Sequence, residues 1–126
     1  MTPRSVDELL ADARRRLERL DPQKAHEALS RGAVLVDIRS ESQRARDGVV
    51  PGAHLMARNV LEWRADPASE LRDPAIADPS RQVIVMCDEG YQSSLAAVTL
   101  KELGIERATD LIGGFQAWRK AGLPVS

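Results

Sequence analysis

The most informative part of the chain reads Gln82-Val83-Ile84-Val85-Met86-Cys87-Asp88-Glu89-Gly90-Tyr91-Gln92-Ser93-Ser94. Its continuous apolar run is typical of a strand that is buried on both faces of a sheet. The strand ends at Cys87, a glycine-bearing loop follows, and a helix is predicted from Ser93 or Ser94 to Leu103. Open α/β sheets bind ligands at the carboxyl ends of their strands, so Cys87 is a candidate site residue.

The loop after Cys87 is suited to holding a negatively charged sulfur. Free backbone N–H groups and the positive end of the helix dipole are directed at this loop. Gly90 lets the backbone curl so that several N–H groups converge on one atom, and Ser93 or Ser94 is expected to cap the helix. A lone cysteine is usually a buried, inert side chain. The combination of strand, loop and helix favours a nucleophile instead.

The remaining chain is predicted to alternate helices and strands. The continuous apolar strands, separated by helices, predict a parallel sheet covered on both faces. Residues 65–80 contain three prolines and are expected to form a surface connection with little regular structure. The other predicted elements are helices at 5–20, 22–30, 40–46 and 59–64, strands at 33–36, 54–56 and 108–112, and a last helix around Phe115 and Trp118.

Composition excludes several classes of function. The chain has 126 residues, enough for one compact domain. Its 18 basic and 19 acidic residues nearly cancel, which argues against nucleic acid or an anionic membrane as a partner. A single cysteine forms no internal disulfide, and no apolar run approaches the roughly 20 residues of a membrane span. We therefore expect a cytoplasmic protein, and with only two histidines we expect no metal site.

Four segments of the sequence resemble motifs of rhodanese-like domains. The cysteine loop is similar to the family pattern C-x-x-G-x-[RST]-S, and the order and spacing of the motifs hold over residues 21–126. Residues 1–20 look like a helical extension outside the common core. The four segments are Cys87–Ser94, Val34–Arg39 with its Asp-x-Arg motif, Gly48–Ala53, and the pair Leu111–Trp118 and Ala121–Val125.

The resemblance implies an α/β fold with an open parallel sheet of about five strands flanked by helices. It also implies a sulfurtransferase in which the Cys87 thiolate takes a sulfur atom from a donor and becomes a persulfide. The partners would be a small donor such as thiosulfate, and a thiol, a cyanide-like acceptor or a protein acceptor. No cofactor is implied. The residues expected to bind substrate form the loop Asp88, Glu89, Gly90, Tyr91, Gln92 and Ser93, with backbone amides of 88–92 around the sulfur.

The loop departs from the family pattern in its charge. Gln92 stands where many members carry arginine, so this position can donate a hydrogen bond but adds no charge. Asp88 and Glu89 place two carboxylates in the loop. We expect this charge to disfavour the thiosulfate dianion, which makes a neutral or cationic donor, or a protein persulfide, an alternative.

Several charged residues outside the loop are candidates for supporting roles. Asp37 and Arg39 follow the first strand and form either an ion pair at its end or a positive field near the site. Arg58 is either an anion contact or a solvated side chain. The arginine-rich face of the first helix is expected to be solvated, with partner docking as the second interpretation.

Aromatic residues divide into two groups. Tyr91, at the tip of the loop, is predicted to form a pocket wall or a contact for a partner. Trp63, Phe115 and Trp118 are predicted to lie in the core, because aromatic side chains dominate core burial.

Three other functions remain open at this point. The first is a non-catalytic regulatory or protein-binding module, since a fold does not fix a function. A cysteine phosphatase or arsenate reductase would need a longer loop ending in arginine, and Gln92 and Ser93 occupy the candidate positions. A thiol redox sensor would need a resolving thiol from outside the chain.

Overall fold

The computed structural model describes residues 2–126. Within them, four parallel strands form one sheet in the order β2-β1-β3-β4. The strands are β1 Val34–Asp37, β2 His54–Leu55, β3 Val83–Met86 and β4 Thr109–Asp110. The helices are α1 Val6–Arg15, α2 Pro22–Ser30, α3 Glu41–Asp47, α4 Leu61–Ala65, preceded by the 3₁₀ turn Arg58–Val60, α5 Gln92–Glu102 and α6 Gly114–Lys120.

Two hydrophobic clusters cover the two faces of the sheet. Side chains alternate along β3, so that Val83 and Val85 face one cluster while Ile84 and Met86 face the other. The first cluster includes residues of α4 and α5, and the second includes Ala25 of α2 and both buried aromatics of α6. The predicted α/β fold with a parallel sheet is therefore confirmed, and so is the burial of its central strand.

Within residues 2–126 the sheet has four strands where about five were expected, and the amino-terminal helix is shorter than predicted. Helix α1 ends at Arg15, whereas a helix was expected over residues 5–20. Leu20 instead forms a parallel bridge with Leu111, beyond β4. Its N–H donates to Asp110 O at 3.1 Å, and its carbonyl accepts from Ile112 N at 2.8 Å. These bonds to the outer side of β4 replace helical ones, so apolar spacing alone overestimated the helix.

Two local predictions were wrong and several were right. Within residues 2–126 no side chain caps α5, which begins one residue before Ser93, so the predicted serine cap is absent. Trp63 is 57% exposed, because the short α4 turns Leu61 and Ala65 inward instead. The predicted core positions of Phe115 and Trp118 are confirmed, as are the turns of residues 65–80 and the start of α2, capped by Asp21. No helix within residues 2–126 is long and apolar enough to cross a membrane.

Candidate active site

Cys87 lies directly after β3, at the carboxyl edge of the sheet, with a side chain that is 8% exposed. In the described part of the chain, two backbone amides donate to its sulfur, Gly90 N at 3.2 Å and Ser93 N at 3.4 Å. The expectation that amides of 88–92 surround the sulfur is thus met at Gly90, while the second donor lies just beyond that range. Gly90 adopts a φ of 87°, a left-handed conformation that glycine tolerates best.

Helix α6 holds the loop from its other side. Phe115 N donates to Cys87 O at 2.9 Å, and Gln116 N donates to Asp88 O at 3.1 Å. A Cβ atom on Gly114 would lie only 2.5 Å from Cys87 O, so this close approach requires glycine. Helix α6 therefore satisfies the loop carbonyls with its free N–H groups, which leaves other loop amides to face the sulfur.

The sulfur opens onto a cavity of about 350 Å³. Tyr91 is 60% exposed at its rim, which agrees with the prediction of a loop-tip aromatic available to a ligand or partner. Ser93 is fully buried and does not line the cavity, but its amide reaches the sulfur. The lining residues are Ile38, Arg39, Gln43, Cys87, Asp88, Glu89, Tyr91 and Gln92.

Asp37 and Arg39 form a buried ion pair beside this cavity. Both side chains are inaccessible, and Arg39 Nη2 lies 2.8 Å from Asp37 Oδ2. The same nitrogen donates to Gly48 O at 2.8 Å, and the guanidinium stacks 3.8 Å from the ring centroid of Phe115. The pair is thus the ion pair expected at the strand end, and Arg39 also lines the cavity.

Arg58 lies beside the cysteine cavity and not in it. It lines a neighbouring cavity of about 510 Å³, which shares Ile38 and Arg39 with the first. Its Nη1 is 2.8 Å from Glu62 Oε1, four residues along the chain. The carboxylate neutralises the guanidinium, so Arg58 forms a local, partly exposed ion pair, which is closer to the solvated interpretation than to an anion contact at Cys87.

The acidic side chains of the loop are arranged differently from each other. Asp88 Oδ1 accepts from Gln116 Nε2 at 2.9 Å, and that nitrogen also donates to Asp47 Oδ2 at 3.1 Å. The hydrogen bond from Arg46 lowers the pKa of Asp47 to about 2, with help from Gln116. Glu89 is exposed to solvent. Asp88 is therefore part of an ordered polar network on α6, whereas Glu89 is free to be screened by water and salt.

A buried carboxylate that the sequence analysis missed lies on the opposite side of the loop. Asp110, the last residue of β4, is fully buried. It accepts hydrogen bonds from the hydroxyls of Ser93, at 2.8 Å, and Ser94, at 2.7 Å. Arg19 Nε donates to it at 2.8 Å. The two serines thus bind the sheet instead of capping α5.

Two arginines of the amino-terminal segment contact the loop directly, although this face was expected to be solvated. Arg14 Nη2 donates to Gly90 O at 2.8 Å, and Arg19 Nη2 donates to the same oxygen at 3.0 Å. No sequence motif marks these contacts. The one available signal was the position of Asp110 at the carboxyl end of a buried strand, where a carboxylate needs a partner.

Comparison with known proteins places the chain in a family. The model of the rhodanese-like domain matches residues 21–121. The chain belongs to the rhodanese-like domain family. A thiosulfate sulfurtransferase GlpE of Haemophilus influenzae (strain PittEE) is 33% identical over 106 residues, covering 84% of this chain and 91% of that protein. The GlpE of Stutzerimonas stutzeri is 31% identical over 102 residues, covering 81% and 84%.

Solved structures share the fold of this rhodanese-like domain. A protein of unknown function from Rhodopseudomonas palustris, described as a possible tyrosine phosphatase, is 32% identical with a TM-score of 0.90. The match covers all of this chain and 97% of that one. The human single-domain sulfurtransferase TSTD1 is 23% identical, with a TM-score of 0.64 over 81% of this chain and 95% of its own, and shows the fold alone.

The family and the class of enzyme predicted from the sequence are confirmed by these comparisons. The curated relatives are sulfurtransferases by name, which supports a rhodanese-type transferase. The roles of individual residues around Cys87 stay predictions.

Proposed function

We propose that this rhodanese-like protein transfers sulfur through a persulfide on Cys87. The observation that carries the proposal is the pair of amides, from Gly90 and Ser93, that donate to Sγ at the mouth of an open cavity. Hydrogen bonds of this kind stabilise an anionic sulfur before and after it accepts a second sulfur atom. The chain's only cysteine is therefore the nucleophile.

The reaction proceeds in two displacements. In the first, the Cys87 thiolate attacks the outer sulfur of the donor, an S–S bond forms at Sγ, and the donor's own bond to that sulfur breaks. With thiosulfate as donor, sulfite leaves with the electron pair. In the second, an acceptor thiolate or cyanide attacks the outer sulfur, and the Cys87 thiolate leaves. The products are an acceptor persulfide or thiocyanate, and the enzyme returns to its starting state.

The names of the curated relatives and the residues of the cavity support particular classes of donor and acceptor. The relatives named as thiosulfate sulfurtransferases support thiosulfate as one donor. The acidic residues Asp88 and Glu89 at the cavity favour a donor with less negative charge, such as an organic or protein persulfide. The cavity is open and has the exposed Tyr91 at its rim, so a thiol carried on a larger molecule also fits as acceptor.

A phosphatase activity has one observation in its favour, the description of the Rhodopseudomonas palustris protein as a possible tyrosine phosphatase. The cysteine loop of this chain argues against it. A phosphate dianion is best held by a bidentate arginine, and residues 88–93 contain none. Arg39 lines the cavity, but its guanidinium is paired with Asp37. Sulfur transfer, which needs only N–H donors around the sulfur, fits these residues better.

Intact mass spectrometry tests the proposal. Wild-type protein incubated with thiosulfate, or with a low-molecular-weight persulfide, should gain one sulfur atom, and Cys87→Ala should gain none. A subsequent thiol or cyanide should remove the added sulfur. No gain with any donor would favour a non-catalytic binding module. Hydrolysis of an aryl phosphate that disappears in Cys87→Ser would favour the phosphatase.

A further inference from the structure

We propose that Arg14 and Arg19 are positioning residues that hold the backbone of Gly90 so that its N–H keeps donating to the sulfur of Cys87. The two guanidinium groups that share the Gly90 carbonyl are called the arginine clamp. This inference rests on the proposed persulfide chemistry and extends it to the segment before residue 21, which the family model does not cover.

The clamp acts at a residue that also binds the sulfur. Gly90 donates its own N–H to Cys87 Sγ at 3.2 Å, and its carbonyl accepts from Arg14 at 2.8 Å and from Arg19 at 3.0 Å. The carbonyl belongs to the same peptide unit as the N–H of Tyr91. Two cationic donors on the oxygen hold that peptide unit in place, which restrains the backbone of Gly90 and keeps its own N–H directed at Sγ.

A glycine in this position needs such a restraint. Its backbone reaches both left-handed and right-handed conformations at little cost, so the peptide after Gly90 is free to rotate unless it is held. A rotation there would change the course of the loop between Gly90 N and Ser93 N, and would weaken the hydrogen bonds of these two amides to a thiolate or a persulfide. Charge-assisted hydrogen bonds from the clamp oppose this rotation.

Asp110 couples the clamp to the second amide donor. It holds Arg19 through two hydrogen bonds, at 2.8 Å and 3.2 Å, and it also accepts from Ser93, whose N–H donates to the sulfur. Both amides that contact Sγ are therefore held by one network. Arg14 adds a bond to Ser94 Oγ at 3.3 Å.

Arg14 lies on helix α1, which is held in place at its start and along its length. Ser5 and Glu8 form a reciprocal capping box at its start, and the helix packs on α5. The amino-terminal segment is thus built as part of the active site, and the clamp is its contribution.

Alkylation of Cys87 tests the clamp without requiring sulfur transfer. Rates with neutral iodoacetamide and with anionic iodoacetate are measured at one fixed pH for wild type, Arg14→Ala and Arg19→Ala. We expect both variants to react about twofold to fivefold more slowly with iodoacetamide than wild type does. The alkylation rate with anionic iodoacetate should fall further, because a cation near the sulfur has been removed. Arg14→Lys, which keeps the charge, should restore the ratio of the two rates.

The control is Arg16→Ala, since Arg16 pairs only with the exposed Glu102, at 3.3 Å, among residues 2–126. Arg19→Ala is expected to be less stable because it leaves Asp110 without its cation, so the conclusion rests on Arg14→Ala, which keeps that pair. Folded Arg14→Ala with the same two rates as Arg16→Ala would overturn the inference. Sulfur loading by wild type, measured separately, would leave the persulfide proposal standing in that case.

Discussion

Two buried carboxylates end the strands on either side of β3, and they are neutralised in different ways. Asp37 ends β1 and pairs with Arg39, two residues later. Asp110 ends β4 and pairs with Arg19, 91 residues away. The first pair joins two residues of one strand end, with Arg39 stacked on Phe115, whereas the second also binds Ser93 of the cysteine loop. The first pair supports the end of its strand, and the second connects the fold to the loop whose amide contacts the sulfur of Cys87.

Breaking the first pair should have the largest effect on stability. Arg39→Ala leaves Asp37 as a buried charge without its cation, so we expect the free energy of unfolding to fall by about 3–5 kcal/mol. Urea denaturation measures this. Arg58→Ala is the matched control, because the Arg58–Glu62 pair is partly exposed and its loss should cost less than about 1 kcal/mol. Equal losses in the two variants would mean that Asp37 finds another partner.

Breaking the second pair should lower the stability by less, but it should also lower the reactivity of Cys87. Asp110→Asn keeps the size of the side chain and removes its charge, so we expect the free energy of unfolding, measured by urea denaturation, to fall by about 2 kcal/mol. The same variant should alkylate more slowly at Cys87, because Arg19 and Ser93 both lose their anchor. An unchanged alkylation rate in the folded variant would show that Asp110 supports the fold only.

The smallest effect is expected from the loop's own carboxylates, which are less buried than these two. The double variant Asp88→Asn and Glu89→Gln should load sulfur from thiosulfate about twofold to threefold faster, because repulsion of the dianion is relieved. The amide introduced at position 88 retains an oxygen that can accept from Gln116, so the loop should keep its shape. Loading from an uncharged sulfane-sulfur donor is the control. An equal gain with both donors would reject an electrostatic cause.

The sequence predicted those parts of the site that depend on neighbouring residues. The apolar run before Cys87, the glycine at position 90 and the Asp37–Arg39 spacing are all local, so strand, loop and ion pair could be read directly. The clamp could not be predicted, because its contacts join residues 71 to 91 positions apart. They depend on where α1 ends and how the chain then approaches β4.

The errors have the same physical origin. Serine is a residue type that favours the N-cap, where its hydroxyl oxygen would accept from a backbone N–H. Here the hydroxyls of Ser93 and Ser94 instead donate to the buried carboxylate of Asp110, and α5 begins before either serine. Trp63 is aromatic, yet α4 is too short to bury more than one face. The residue type indicates which environment a side chain favours, but its contacts in the folded chain decide where it lies.

The bridge between Leu20 and Leu111 has a consequence for how molecules of this protein meet each other. A terminal strand normally presents unpaired N–H and C=O groups that invite another chain to add on and begin a fibril. Here the N–H of Leu20 already donates to the carbonyl of Asp110, and the carbonyl of Leu20 accepts from the N–H of Ile112. The leading segment therefore shields one flank of the sheet from aggregation, a protective task separate from any reaction at the sulfur.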